Sequence, residues 1–172
     1  YVETPVDLRL NIDQTDNGPP TVEPYPSGAA YTAGSDARLS GSATNLGPGP
    51  ITSTVDFGLL VTDPNGNTIL DTVRSIYSLA VDERKGIIHD FTILDSHPLG
   101  TYTWSVTVDP NNEIAETNET NNGPFTGTYE VVEYVETPVD LRLNIDQTDN
   151  GPPTVEPYPS GAAYTAGSDA RL

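Results

Sequence analysis

Gly100-Thr101-Tyr102-Thr103-Trp104-Ser105-Val106-Thr107-Val108-Asp109 is the stretch that decides the fold. Tyr102, Trp104, Val106 and Val108 alternate with Thr101, Thr103, Ser105 and Thr107, a period of two that sets an apolar row and a hydroxyl row on opposite faces of a strand. Aromatic and β-branched residues suit a pleated, half-buried surface, and the only tryptophan of the chain stands in the apolar row. This strand is expected to anchor a core.

The same period extends in both directions. Downstream, past an acidic loop, Phe125, Gly127, Tyr129 and Val131 alternate with polar residues. Upstream, Ile87, His89, Phe91 and Ile93 do so between the turns at 81–86 and 95–100. Ile51, Ser53, Val55, Phe57, Leu59 and Val61 are expected on one face of another strand, which the turn Asp63-Pro64-Asn65-Gly66 joins to a returning partner over 68–80. Ala37, Leu39, Gly41 and Ala43 mark a strand that stops at Asn45-Leu46-Gly47 and the breaker Gly47-Pro48-Gly49-Pro50. Val6, Leu8, Leu10 and Ile12 mark the first strand. Between these two, residues 13–30 hold Pro19, Pro20, Pro24 and Pro26, whose fixed φ and missing N–H exclude a sheet interior. That segment is expected as a long ordered loop or an extended stretch hugging an edge. No window carries a 3.6-residue period, and seven short strands in about 130 residues predict an all-β, immunoglobulin-like sandwich.

Residues 1–39 return letter for letter as 134–172, an offset of 133 positions. The reading is a tandem repeat of period 133, with one complete unit at 1–133 and the first part of the next, identical unit at 134–172. That period is too long for a solenoid repeat and suits an independently folding domain. The connection has no Gly/Ser tract, only Glu133, Tyr134, Val135, Glu136, Thr137 and Pro138, and is expected to be short and extended. A partial unit of one strand, a loop and part of a second strand cannot bury a core alone. A strand exchanged between neighbouring units is therefore one expectation, with Val6, Leu8, Leu10 and Ile12, or their copies Val139, Leu141, Leu143 and Ile145, completing the adjacent sheet.

The chain carries 25 acidic and 7 basic residues, a net charge of −18, the wrong sign for a nucleic-acid partner. No run approaches the roughly 18 apolar residues of a membrane span, so none is expected in this segment. The absence of cysteine removes disulfides, thiol catalysis and Cys-ligated zinc.

Oxygen ligands are densest over 109–122. Calcium takes six to eight hard oxygen ligands, and one reading makes Asp109, Glu116, Glu119 and Asn121 a calcium site; the other makes them caps of backbone turns in a solvated loop. The spacing departs from the EF-hand loop. Tyr25 and Tyr31 could form an aromatic platform for a glycan, or could pack the Pro-rich loop onto the sandwich. His89 and His97 read as rim and turn residues and not as bases, and Lys85, in a polar turn, does not suit an intramolecular isopeptide bond. Asn118-Glu119-Thr120 is a glycosylation sequon. No catalytic or cofactor-binding residue is expected, and the chain is read as non-enzymatic.

Three motifs carry a resemblance: Asn45-Leu46-Gly47 closing a strand, the Gly100 to Asp109 stretch, and Glu116-Thr117-Asn118-Glu119-Thr120-Asn121-Asn122. Together they resemble CARDB domains, the cell-adhesion-related domains of bacterial and archaeal surface proteins. The resemblance implies an Ig-like sandwich, often in tandem, in an extracellular or surface-attached protein. The function it implies is a structural repeat of a filament, stalk or large adhesin whose partners are identical neighbouring units. The alternatives are a ligand- or glycan-binding adhesin module and an accessory domain of a secreted enzyme.

Overall fold

In the computed structural model the described residues are 4–12, 19–25 and 30–134, the Tyr25 side chain excepted, with the backbone of 156–157 and 170–171. The chain divides into two units, Tyr1–Tyr134 and Val135–Leu172. The first holds β1 (Leu8–Leu10), β2 (Thr21–Tyr25), β3 (Asp36–Asn45), β4 (Ile51–Thr62), β5 (Thr68–Leu79), β6 (Arg84–Thr92), β7 (Gly100–Val108) and β8 (Phe125–Val131).

These form two four-stranded antiparallel sheets. One runs β5-β4-β7-β8. In the other, β3 pairs with β6 along one edge from Asp36 to Thr44, while its opposite edge is shared end to end: β2 pairs with Asp36 to Ser40 and β1 with Ala43 to Asn45. The result is the expected immunoglobulin-like β-sandwich, with eight strands in place of seven.

The additional strand is β2, which lies inside the Pro-rich segment. Among the described residues β2 pairs with β3 alone, an edge position at which a proline such as Pro24 is tolerated. Two face assignments are corrected. β1 stops at Leu10, and Ile12, beyond the strand, is 56% exposed. Ser53 faces solvent because the β4–β5 register shifts between Ile51 and Thr54, and a bulge there breaks the alternation after Ile51.

The inward rows meet in one core of Leu8, Leu10, Leu39, Val55, Phe57, Leu59, Val61, Leu79, Ile93, Tyr102, Val106 and Val108, all essentially fully buried. Each such side chain contributes roughly 1.5–3 kcal/mol on leaving water. Trp104 lies flat under β8, where a Cβ on Gly127 would overlap its indole ring. Glycine is needed there for space and not for backbone freedom.

Registers fix the path of the chain. β1 starts beside Asn45 at the end of β3, and β8 finishes beside Gly100, with Val132 bridging Thr32 ahead of β3. The chain thus enters the first unit at one pole of the sandwich (the amino pole) and leaves at the other (the carboxyl pole). In the second unit β9 (Glu156–Pro157) pairs with β10 (Ala170–Arg171) in the register that Glu23-Pro24 and Ala37-Arg38 adopt in the first. Val139, Leu141, Leu143 and Ile145 lie outside the described residues. Among the described residues no helix is long and apolar enough to cross a membrane.

Candidate functional site

The acidic loop 109–122 closes the amino pole, and its side chains face two tasks. The first is to shape the loop. Asp109, buried and at φ 46°, accepts the Glu113 N–H at Oδ1 (3.0 Å) and the Ile114 N–H at Oδ2 (2.9 Å). Glu119 Oε1 accepts the Glu116 N–H at 2.8 Å, and Asn118 Oδ1 accepts both the N–H and the hydroxyl of Thr120.

The second task is to grip β1. The Glu116 carboxylate accepts the Leu8 N–H at Oε2 and the Asn122 amide at Oε1 (2.9 Å). Thr117 donates its N–H to the Val6 carbonyl at 2.9 Å, and Glu116 and Val6 form a parallel bridge. The Leu10 N–H reaches the Asn121 carbonyl at 3.0 Å, and the Asn121 side chain donates to Asp7 Oδ1 at 2.8 Å. The loop therefore supplies a second partner to the edge of β1 that faces away from β3. An edge strand with unpaired N–H groups invites foreign strands, and here both edges of β1 are bonded.

The turn after β3 holds the segment just before β1. Asn45 is fully buried, donates to the Gly49 carbonyl (2.8 Å) and accepts from the Gly47 N–H (3.1 Å). Leu46 N–H bonds the Asp7 carbonyl at 2.7 Å and Gly49 N–H the Pro5 carbonyl at 3.0 Å. A Cβ on Gly47 would stand 2.6 Å from the Val6 and Asp7 backbone, and one on Gly49 2.6 Å from the Thr4 carbonyl. Glycines at these positions let two backbones touch. Past β1, Asn11 is fully buried between Ser42 (3.0 Å) and Thr44 (2.9 Å).

Glu116 is the unusual group electrostatically. Burial pushes its pKa up to about 7; the bonds from Asn122 and the Leu8 N–H oppose this, and the charges of Glu119 and Asp109 add to it. Of the four residues read as calcium ligands, Glu119 and Asp109 are thus close enough to act on the Glu116 carboxylate. Both oxygens of Asp109 and of Glu116 and Oε1 of Glu119 accept N–H groups, and among the described residues no group of three or more His, Asp or Glu is arranged to hold a metal ion. The carboxylates thus cap backbone N–H groups, as one reading has it, while calcium takes six to eight oxygen ligands and the buried Asn121 Oδ1 and Asn122 Oδ1 have no hydrogen-bond partner among the described residues.

At the carboxyl pole the contacts are aromatic. Tyr129 of β8 stacks between Tyr31 (centroids 4.7 Å apart) and Tyr102 (5.2 Å). Tyr31 donates its hydroxyl to the Val22 carbonyl and Tyr102 to that of Pro98, each at 2.7 Å. Burial raises the pKa of all three phenols. Tyr31 is not an open platform for a sugar, because its ring face packs the Pro-rich segment onto β8; the Tyr25 side chain lies outside the described residues. This stack was not legible as a unit, although the placement of Tyr102 and Tyr129 in inward rows was its available signal.

The other candidates are accounted for locally. His89 Nδ1 accepts from Arg74 Nε at 2.8 Å, and burial followed by the Arg74 charge lowers its pKa. His97 Nδ1 accepts the Leu94 N–H within its turn. Lys85 Nζ bonds the Ser78 carbonyl at 2.8 Å and Glu83 at 3.3 Å. The chain holds no cysteine.

The family profile CARDB matches residues 21–124. No curated protein matches the sequence. Similar solved structures include the CARDB domain of a Pyrococcus furiosus protein, crystallised in complex with di-metal ions, at 20% identity and TM-score 0.48, covering 79% of this chain and 100% of that one. A domain of a putative cell surface protein from Methanosarcina acetivorans matches at 22% identity and TM-score 0.44, over 77% and 96% of the two chains. A Bacteroides uniformis β-glucuronidase matches at 12% identity and TM-score 0.49, over 72% of this chain and 14% of that enzyme.

Proposed function

Since the chain belongs to the CARDB family, we propose that it is a non-catalytic accessory module of a longer secreted or surface-attached protein, where it spaces and orients the domains on either side. The observation that carries this reading is the path of the chain. It enters the first unit at the amino pole and leaves at the carboxyl pole, and the family motifs Asn45-Leu46-Gly47 and Glu116 to Asn122 serve to fasten the first strand. The net charge of −18 keeps such a module soluble and apart from its neighbours.

A second reading, a tandem array with identical units as partners, draws support from the letter-for-letter return of residues 1–39 at 134–172 and from the equal registers of β2–β3 and β9–β10. Strand exchange belongs to this reading. The seat that Leu8–Leu10 occupies in its own unit would be filled by the copy from a neighbour, which requires the loop grip on β1 to open.

An adhesive role would need another surface than Tyr31, and Tyr77 on β5, 73% exposed, is available for it. A glycan array probed with the 172-residue chain separates the readings. The spacer reading expects no sugar retained above background. Sugar-specific retention that is lost in Tyr77→Ala would replace spacing by recognition.

A further inference from the structure

We propose that the first unit is a load-bearing module: tension applied at its two ends is taken in shear by β1 and β8, with the acidic loop and the tyrosine stack as the two clamps. The inference deepens the spacer reading, on which it rests.

The geometry sets the direction of load. β1 runs inward from the amino pole and β8 runs outward to the carboxyl pole, so a pull on the two ends acts along both strands. In an antiparallel ladder the hydrogen bonds lie perpendicular to the strands. A force along the strand strains them together, whereas a force across the strand opens them one at a time.

β1 alone is short, only Leu8–Leu10, and its ladder with β3 is a weak anchor. The bonds added around it change that. On the side facing the loop it is held by Leu8 N–H to Glu116, Thr117 N–H to the Val6 carbonyl, Leu10 N–H to the Asn121 carbonyl, and Asn121 to Asp7. On the β3 side the Leu46 and Gly49 N–H groups hold the Asp7 and Pro5 carbonyls, and Asn11 N–H holds the Ser42 carbonyl. All of these join chain segments that an end-to-end pull would slide past one another. At the far pole β8 pairs with β7 from Phe125 to Val131, Val132 N–H bonds the Tyr31 carbonyl at 2.9 Å, and the Tyr129 ring is wedged between two others. Both loaded strands are therefore fastened beyond their own ladders, and at the poles where the load arrives.

The chain has no cysteine, so handles can be placed at will. The test is single-molecule force spectroscopy on the 172-residue chain in two geometries. Thr4→Cys with Glu133→Cys pulls pole to pole; Thr4→Cys with Asn111→Cys pulls across the amino pole. Pole-to-pole loading is expected to rupture at a force about twofold or more above the crosswise pull, because the bonds break together. It is also expected to release roughly 400 Å of chain in one step, the extended length of the unit less its folded span. Glu116→Ala and Tyr31→Ala should each lower the pole-to-pole force more than the crosswise one. Equal forces in the two geometries, or release of β1 in a separate early step, would overturn the proposal. The geometry comparison needs neither clamp variant, so a variant that misfolds does not spoil it. Sugar binding on the array with a strong pole-to-pole rupture would end the spacer reading alone; weak rupture without sugar binding would end load bearing alone.

Discussion

The two poles fasten the two ends of the first unit by opposite chemistry. At the amino pole a short strand, its Leu8 and Leu10 buried in the core, is further held by backbone N–H and C=O groups, two asparagines and one partly buried carboxylate. At the carboxyl pole a longer strand is held by stacked rings. Hydrogen bonds fix register and titrate; ring stacking supplies buried area that pH does not reach. The contrast teaches that the acidic loop, the most ligand-like stretch of the sequence, belongs to the fold.

The largest effect should come from the aromatic pole. Tyr129→Ala removes the middle ring and is expected to lower stability by about 3–5 kcal/mol, equally at pH 5 and pH 8, in denaturant titrations. A loss that varied with pH would break the division between the poles. Gly47→Ala tests the polar pole sterically. The added methyl meets the Val6 and Asp7 backbone, and a loss of about 1–3 kcal/mol is expected, with altered amide shifts along residues 4–10.

A smaller and more specific effect concerns Glu116. Its folded pKa of about 7 lies above the ordinary 4.5, so between these values the folded state holds the proton more tightly than the unfolded one. Stability from this group is fully present below pH 4.5 and is lost as pH rises through about 7. Melting temperature should therefore fall between pH 5 and 8, and Glu116→Gln should flatten that slope. A slope that persisted in Glu116→Gln would assign it to another carboxylate. The smallest expected change is that on metal removal: with the Asp109 and Glu116 oxygens engaged, EDTA should leave the melting temperature where it was, and a clear drop would restore calcium to the loop.

Much of the sandwich was legible because period-two alternation reports burial directly. The inward row of Tyr102, Trp104, Val106 and Val108 is buried as read. β2 was legible only as one of two alternatives, the extended stretch hugging an edge, because prolines argue against a sheet interior and do not say whether an edge segment pairs. Ser53 escaped because a bulge changes the face without changing the pattern. For residues 109–122 the letters left two readings side by side, caps of backbone turns and calcium ligands. A carboxylate that caps an N–H and one that binds calcium have the same letters, and the approach of residues 6–10, more than a hundred positions away, is not written in the loop itself. The tyrosine stack likewise depends on a long-range meeting of Tyr31 with Tyr129.

The central claim is that the acidic loop acts as the second neighbour of β1. The Leu8 and Leu10 N–H groups point to Glu116 and Asn121 and away from β3, so their hydrogen exchange reads the claim residue by residue. Protection at both amides comparable to that of the β3 interior, reduced at Leu8 in Glu116→Ala, is the predicted result. Exchange at both amides as fast as in an open edge strand would contradict it.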